Sequence, residues 1–362
     1  MAQTYQVLFG DAASPADAAF YRLLSSVEVE ENADLPGAIQ LNMPITTTGA
    51  AGHGDLTIVS DERFAPYARV AVVVSADGRT DACIFDGCVL SHRIHLRRGT
   101  TASSAQVWGQ DLSCLMNLED RVHEWKDADD CTIANAIFKD NYSFTPSPAN
   151  TPGPSDGKHT VMQRGTDAQF LRERARRSGR LFRVFSDARA GDTTGYFATP
   201  TLTGTAAATL VLNPAMDANV DALDFSWDVA RPTEVLAQAL ALEKDAADGG
   251  TTDSGLQALD SRPLARFAGK AMKTRLTAAV DGGGELRSRA ESLLREASWF
   301  VTCEGEGDLA RIRVVLRVGT LVQVNGAGLM HSGRYLVWSV RHTITVKSHR
   351  MKFVLVRNAV GG

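Results

Sequence analysis

The residue types that could do chemistry are few in this sequence, and they do not gather into a familiar reaction centre. Cys83 and Cys88 followed by His92 and His95 come nearest to a metal-binding set. The spacing Cys-x4-Cys with His-x2-His is unusual for zinc, and on a strand positions 92 and 95 face opposite sides, so core thiols and surface imidazoles are expected. His342 falls on a strand face with Trp338, Val340 and Ile344, where a hydrogen-bonded, partly buried imidazole is expected over a catalytic one. Glycines 282 to 284 before Leu286 have the form of an anion-binding helix start. No strand with a Walker or dinucleotide pattern precedes them, and they read as a loop. Neither Gly-x-Ser-x-Gly nor His-Glu-x-x-His occurs, which leaves a hydrolase without its usual nucleophile or zinc ligands. No catalytic residue, cofactor or metal ligand is expected.

The densest charge lies between Arg164 and Arg189, with eight arginines against Asp167, Glu173 and Asp187. Three readings stand for it: a solvated helix face, a contact with another protein, or nucleic-acid binding. Phe170, Phe182 and Phe185 fall at expected core positions and are not interleaved as stacking platforms, which argues against readout of bases. The positioning element is legible. Thr166 with Gln169 three residues on forms a capping box, Ala168, Leu171 and Ala175 recur at helical spacing, and Gly179 supplies a left-handed stop. Leu181, Phe182, Val184 and Phe185 then read as a strand ended by Ser186 and Asp187.

At 362 residues, 44% hydrophobic and 22% charged, the chain can bury a core and is expected to hold two or more domains. No apolar run approaches the roughly 20 residues of a membrane helix, and MAQTYQVLFGD lacks the order of a secretory signal, so assembly in the cytoplasm is expected. Five scattered cysteines argue against a disulfide framework. A formal charge of −4 gives no overall attraction for nucleic acid.

Along the chain the expected class is α+β, mainly β. Strands are expected over Gln6–Phe9, Leu23–Glu30, Ala38–Met43, Val70–Val74 and Ala82–Phe85, the last leading through Asp86-Gly87 into Val89–Leu96, with a mobile loop at Thr46–Gly54. Helices are expected from Asp111 (Leu112, Leu115, Leu118, then Val122 and Trp125) and over Thr132–Asp140, with a proline-rich linker between Phe144 and Lys158. Later come strands at Leu210–Leu212 and Ala222–Trp227, a helix from Arg231-Pro232-Thr233 through Leu242, and a flexible loop over Lys244–Asp260. An amphipathic helix at Glu285–Ala297 precedes strands at Arg311–Leu316 and Leu321–Val324. The chain closes on a hairpin, Tyr335–Val346 with Met351–Arg357, turned by Lys347–Arg350. The openings of two long strands, Asp86-Gly87-Cys88-Val89 and Ser332-Gly333-Arg334-Tyr335, echo one another.

Several of these segments, taken in order, resemble the late control D family, the baseplate hub proteins of contractile-tailed phages, related to the first part of VgrG spike proteins. They include Phe85-Asp86-Gly87, Val107-Trp108-Gly109-Gln110-Asp111-Leu112, Ile133-Ala134-Asn135-Ala136-Ile137 and the helix from Gln163-Arg164-Gly165. Phe225-Ser226-Trp227-Asp228, Gly319-Thr320-Leu321-Val322, Ser332-Gly333-Arg334-Tyr335, Val340-Arg341-His342 and Arg357-Asn358 continue the series. The resemblance implies two tube-protein-like antiparallel β-barrel domains with α/β insertions. The corresponding division is 1–104 for the first barrel, 105–203 for an α+β module, 204–232 with 301–362 for the second barrel, and 233–300 for an insertion. It further implies a structural hub of a phage tail, or of a tail-like injection system, a homotrimer joining a hexameric inner tube to a separate trimeric spike. Wedge and tape-measure proteins are further partners on this view. The expected assembly surface is the C-terminal hairpin, with Leu336, Val340, Lys347, His349 and Arg350, together with Arg172 and Arg176 of the arginine helix. A tail-associated peptidoglycan hydrolase and an arginine-mediated nucleic-acid module are the competing readings.

Overall fold

The computed structural model describes residues 4–45, 61–78, 81–97, 103–153, 158–213, 217–239, 247–248, 250–277 and 283–362. The expected loop Thr46–Gly54 lies outside them, as do residues 244–246 and 249 of the loop expected over Lys244–Asp260.

Strands of alternating burial set the frame. In chain order the first six are β1 (Thr4–Phe9), β2 (Ser26–Asn32), β3 (Ala38–Ile45), β4 (Arg69–Ser75), β5 (Asp81–His95) and β6 (Ser103–Asp111). A short helix, α1 (Ala18–Leu23), lies between β1 and β2, in a stretch where no element is expected from sequence except the strand opening at Leu23. Then come β7 (Asp120–Ala128), α2 (Asp130–Ala136), β8 (His159–Thr166), α3 (Asp167–Ser178), β9 (Leu181–Ser186) and β10 (Thr193–Ala198). After β11 (Ala208–Val211) and β12 (Ala222–Trp227), an insertion carries β13 (Glu234–Ala239), β14 (Lys273–Leu276) and α4 (Gly283–Ala297). The chain ends with β15 (Val301–Asp308), β16 (Leu321–Asn325), β17 (Gly333–Thr345) and β18 (His349–Arg357).

Twelve of these strands, with the two-residue strand Ser14–Pro15, form one thirteen-stranded sheet, antiparallel except where β11 meets β16. Within it the same six-stranded unit occurs twice. The first runs β1-β4-β5-β6-β3-β2 and the second β11-β16-β17-β18-β15-β12. Numbered by position in the chain, both orders are 1-4-5-6-3-2. The first strands differ, β1 running antiparallel to β4 and β11 parallel to β16, whereas across the other five strands the register agrees residue by residue. A bulge at Leu90 separates the pairs Val89↔Gly109 and Ser91↔Trp108, and one at Trp338 separates Val337↔Leu355 and Ser339↔Val354. Tyr67 N–H donates to the Val89 carbonyl at 2.8 Å, and Val89 N–H to Ala68 at 2.9 Å. Gly319 and Thr320 make the same two bonds with Val337, both at 2.9 Å. Tyr67 and Gly319 both sit at positive φ, 62° and 85°. The equivalent strands therefore share Val-x-Ser-x-Arg, at Val89–Arg93 and Val337–Arg341. The two strand openings noted in the sequence lie on equivalent strands but two residues out of phase, because the register matches Tyr335 with Gly87 and not with Val89.

The units join edge to edge. β2, the last strand of the first, pairs with the C-terminal half of β17, from Ser339↔Asn32 to Thr345↔Ser26. One core runs under both, with Val27, Val29, Leu41 and Val107 of the first and Val340, Ile344, Met351 and Phe353 of the second. No pairing among the described residues closes either unit into a ring. β6 crosses the expected boundary at 104/105, since it pairs with both β3 and β5.

Between the units, the described residues of 112–198 fold around a separate core of Leu112, Met116, Phe138, Phe170, Leu171 and Phe197. The capping box of α3 is present, with the Gln169 N–H donating to Thr166 Oγ1 at 3.2 Å, and Gly179 ends the helix at φ 62°. The helix expected from Asp111 is instead a 3-10 segment, Leu112–Asn117, followed by β7 paired with β8. Its helical spacing was misleading, because Leu118 and Val122 are exposed. The expected helix from Arg231 is strand β13, parallel to β14. Val235 and Ala237 alternate onto Leu286, Ala290 and Leu294 of α4, a two-residue period that decides for strand. Arg311–Leu316 begins as a helical turn, Leu309–Ile312, ended by Arg313 at φ 60°. Asp86-Gly87 is mid-strand, and any Cβ at Gly87 would lie 2.1 Å from the Gln110 carbonyl oxygen. That close approach explains the glycine better than a turn does.

Candidate assembly interface

Three parts of the chain meet where the two units join. On β2 the alternation Val27, Val29, Glu31 places a carboxylate on the buried face, and Glu31 is 6% exposed. Arg317 Nε lies 2.7 Å and Arg183 Nη2 3.7 Å from it, with His342 Nε2 at 3.9 Å. Arg317 also donates to the carbonyls of Ser186 and Asp187, each at 3.1 Å, and Arg183 to that of Val318 at 3.0 Å. First unit, α/β module and second unit are thus tied through one buried ionic cluster. Burial lowers the Arg183 pKa, opposed by the Glu31 charge. Beside it a cavity of about 30 Å³, lined by Asp86, Asp111, Arg172, Arg183 and Arg317, has room for little more than a water. Burial raises the Asp111 carboxyl, which accepts from the backbone N–H groups of Gly37 and Ser113. These groups hold elements together, and none faces a space large enough for a substrate.

His342 is fully buried, with Nδ1 3.0 Å from His349 Nε2. Burial pushes His342 well below the ordinary imidazole value and His349 down to about 4. The pair is neutral at pH 7. Trp338 does not share the His342 face as expected. The bulge turns it to the side of Leu336, where it packs on Trp299 with ring centroids 6.1 Å apart.

The expected assembly residues divide. Leu336 and Val340 are fully buried inside the chain, and both hairpin strands are paired on either side, β18 by β15 and β17 by β16 and β2. The hairpin is the middle of the sheet and not an edge, so these two residues are core residues. His349 is buried in β18, which removes it from the turn, whereas Lys347 and Arg350 are exposed. Arg350 pairs with Asp221 at 3.0 Å. Arg172 lies over the Phe182 ring, 5.7 Å from its centroid, and Arg176 is exposed and pairs with Asp34 at 3.3 Å. Arg174 pairs with Asp130 and Arg177 with Glu285. Much of the arginine face is therefore committed within the chain. Cys83 and Cys88 are buried, while His92 and His95 are exposed on β5.

Among the described residues the unpaired strand edges include, besides those of β11 and most of β1, two that are equivalent to the strands of the internal joint. The outer edge of β5 from Leu90 onward pairs with no strand among the described residues, and neither does the outer edge of β12. The sequence pointed to neither, although Glu31 at a core register and the repeated Val-x-Ser-x-Arg were both readable.

The family model described as the Alg8 N-terminal domain matches residues 23–346. The matched family is thus not the late control D family that the motifs resemble. No curated protein matches the sequence. Among solved structures, a tail protein from Neisseria meningitidis MC58 aligns with 100% of this chain and 98% of its own, at 14% identity and a TM-score of 0.67. The 43 kDa tail protein of prophage MuSo2 from Shewanella oneidensis covers 99% and 100%, at 13% identity and 0.66. An E. coli component of the type VI secretion system, described as similar to the T4 bacteriophage tail proteins gp27 and gp5, covers 99% and 77%, at 13% identity and 0.56. At such identities the likeness is one of fold, a mainly β fold with large antiparallel sheets shared with phage tail proteins.

Proposed function

The chain belongs to the Alg8 N-terminal domain family, and we propose that it is a structural hub of a phage tail or tail-like injection system. In this reading three copies form a closed ring between a hexameric inner tube and a trimeric spike, as the late control D resemblance implies. One observation carries it: each chain holds two six-stranded units of the same strand order, with the same register over five of the six strands. Three such chains offer six similar edges to a sixfold tube while keeping threefold symmetry for a spike, a symmetry match that a single-unit chain cannot make as a trimer. Wedge and tape-measure proteins are further partners in this reading. The chain would assemble in the cytoplasm and act without catalysis. Counting copies in purified particles by quantitative mass spectrometry tests the proposal. Three per particle, against six tube subunits per ring, is expected, and six or more would overturn it. Purified chain that digests cell walls would instead favour a tail-associated hydrolase. Strongly salt-dependent binding to DNA would favour the nucleic-acid reading.

A further inference from the structure

Each unit has one last strand and one long fifth strand, and inside the chain the last strand of the first (β2) pairs with the fifth of the second (β17). The counterparts left over are β12, the last strand of the second unit, and the end of β5, the fifth strand of the first. We propose that these two edges pair antiparallel between neighbouring copies of this chain, repeating between chains the joint seen within one. The proposal rests on the hub reading for the number of copies, but its register comes from the duplication alone.

Carrying the pairs of the internal joint onto the equivalent residues fixes that register. Val340↔Glu31, Arg341↔Glu30, His342↔Val29 and Thr343↔Glu28 become His92↔Trp227, Arg93↔Ser226, Ile94↔Phe225 and His95↔Asp224 of the second copy. The side chains fit this assignment. At the internal joint the inward residues are covered, with Ile344 2% and Glu31 6% exposed. Their equivalents Leu96 and Trp227 stand 61% and 51% exposed. Large apolar groups at these two unpaired edges are accounted for if a neighbour covers both. Charge agrees as well. Arg93 lies near the end of β5 and Arg97 just beyond it, both exposed, while β12 carries the exposed Asp224 and is followed by the exposed Asp228. In the assigned register Arg93 lies diagonal to both acids, within reach of a long side chain. At the internal joint the equivalent arginine, Arg341, pairs instead with the directly opposed Glu30 at 2.6 Å.

The test is a disulfide placed by the register. In the full chain, Arg93→Cys with Ser226→Cys puts two thiols on directly opposed residues of neighbouring copies, at cross-strand spacing. The five native cysteines are buried and do not compete. Under mild oxidation the double variant is expected to give covalent oligomers on a non-reducing gel and each single variant none. Arg93→Cys with Ala222→Cys, displaced by about 13 Å along the strand, should not link. Leu96→Asp and Trp227→Asp should each release monomer, seen by light scattering, with the melting curve of the parent retained. A chain that stays monomeric at all concentrations, or a displaced pair that links as well as the assigned one, overturns the pairing. Trimers that do not link would also overturn it and leave the hub reading standing. Linked rings of a number other than three would keep the pairing and defeat the hub reading.

Discussion

Glu30 and Glu31 are neighbours on one strand with opposite fates, and replacing each by glutamine tests the role of the buried cluster. Glu31 faces two guanidinium groups whose side chains are 15% and 10% exposed. Glu31→Gln keeps the shape and removes the one carboxylate that pairs with either among the described residues, leaving two buried cations together. Breaking a buried pair from one side costs about 3–5 kcal/mol. The lower end applies here, since Arg317 and Arg183 keep their bonds to the carbonyls of Ser186, Asp187 and Val318. Glu30 pairs with Arg341, but those side chains are 40% and 55% exposed, and exposed pairs contribute about 0–1 kcal/mol. Thermal unfolding at pH 7.5 should show Glu31→Gln melting lower by on the order of 5 °C, with Glu30→Gln within about a degree or two of the parent. Adding Arg317→Met to Glu31→Gln should recover part of the loss, because the cationic excess is reduced. Equal shifts for the two glutamates would refute the claim that the joint is held by a buried ionic cluster.

Other outcomes follow from the same structure. His342 and His349 have folded pKa values below the ordinary 6.5, His349 at about 4. The unfolded chain therefore binds more protons at acid pH, so stability is fully present above about 6.5 and is lost as pH falls towards 4. The expected slope is up to about 1.4 kcal/mol per pH unit for each proton, and His349→Gln should flatten it in urea titrations at several pH values. Thr166→Ala should cost about 1 kcal/mol and Phe170→Ala about 3–5 kcal/mol in equilibrium unfolding, because the first removes a cap and the second empties a core site. Gly195→Ala should destabilise by about 1–3 kcal/mol, since its Cβ would lie 2.3 Å from the buried Phe138 ring. Melting curves equal to the parent's would count against that packing.

How much of this was legible depends on which force decided each element. Capped α3 and the alternating strands of the C-terminal hairpin announce themselves locally, through hydroxyl, amide, glycine and two-residue period. β7 and β13 were mistaken for helices because four-residue apolar spacing occurs there by chance, while the deciding partners, β8 and α4, lie far along the chain. The last residues of the loop expected to be flexible are held from a distance. Leu259 is buried and its N–H donates to Asn358 at 2.9 Å, and Asp260 pairs with the fully buried Arg357. In sequence the C-terminal hairpin reads as exposed strands whose unpaired edge would favour pairing with a partner. Only the pairing with β2, some three hundred residues earlier, reveals Leu336 and Val340 as interior. Glycine substitution at either is therefore expected to unfold the chain and not merely to block assembly.

An electron-microscopic reconstruction of the assembled chain, alone or in the particle, tests the central claim most directly. Three copies on the tube axis, their six units arranged in a ring with near-sixfold symmetry, are predicted, with interfaces on the order of 2,000 Å² or more. A ring of six copies, or density for this chain only away from the axis, would contradict it.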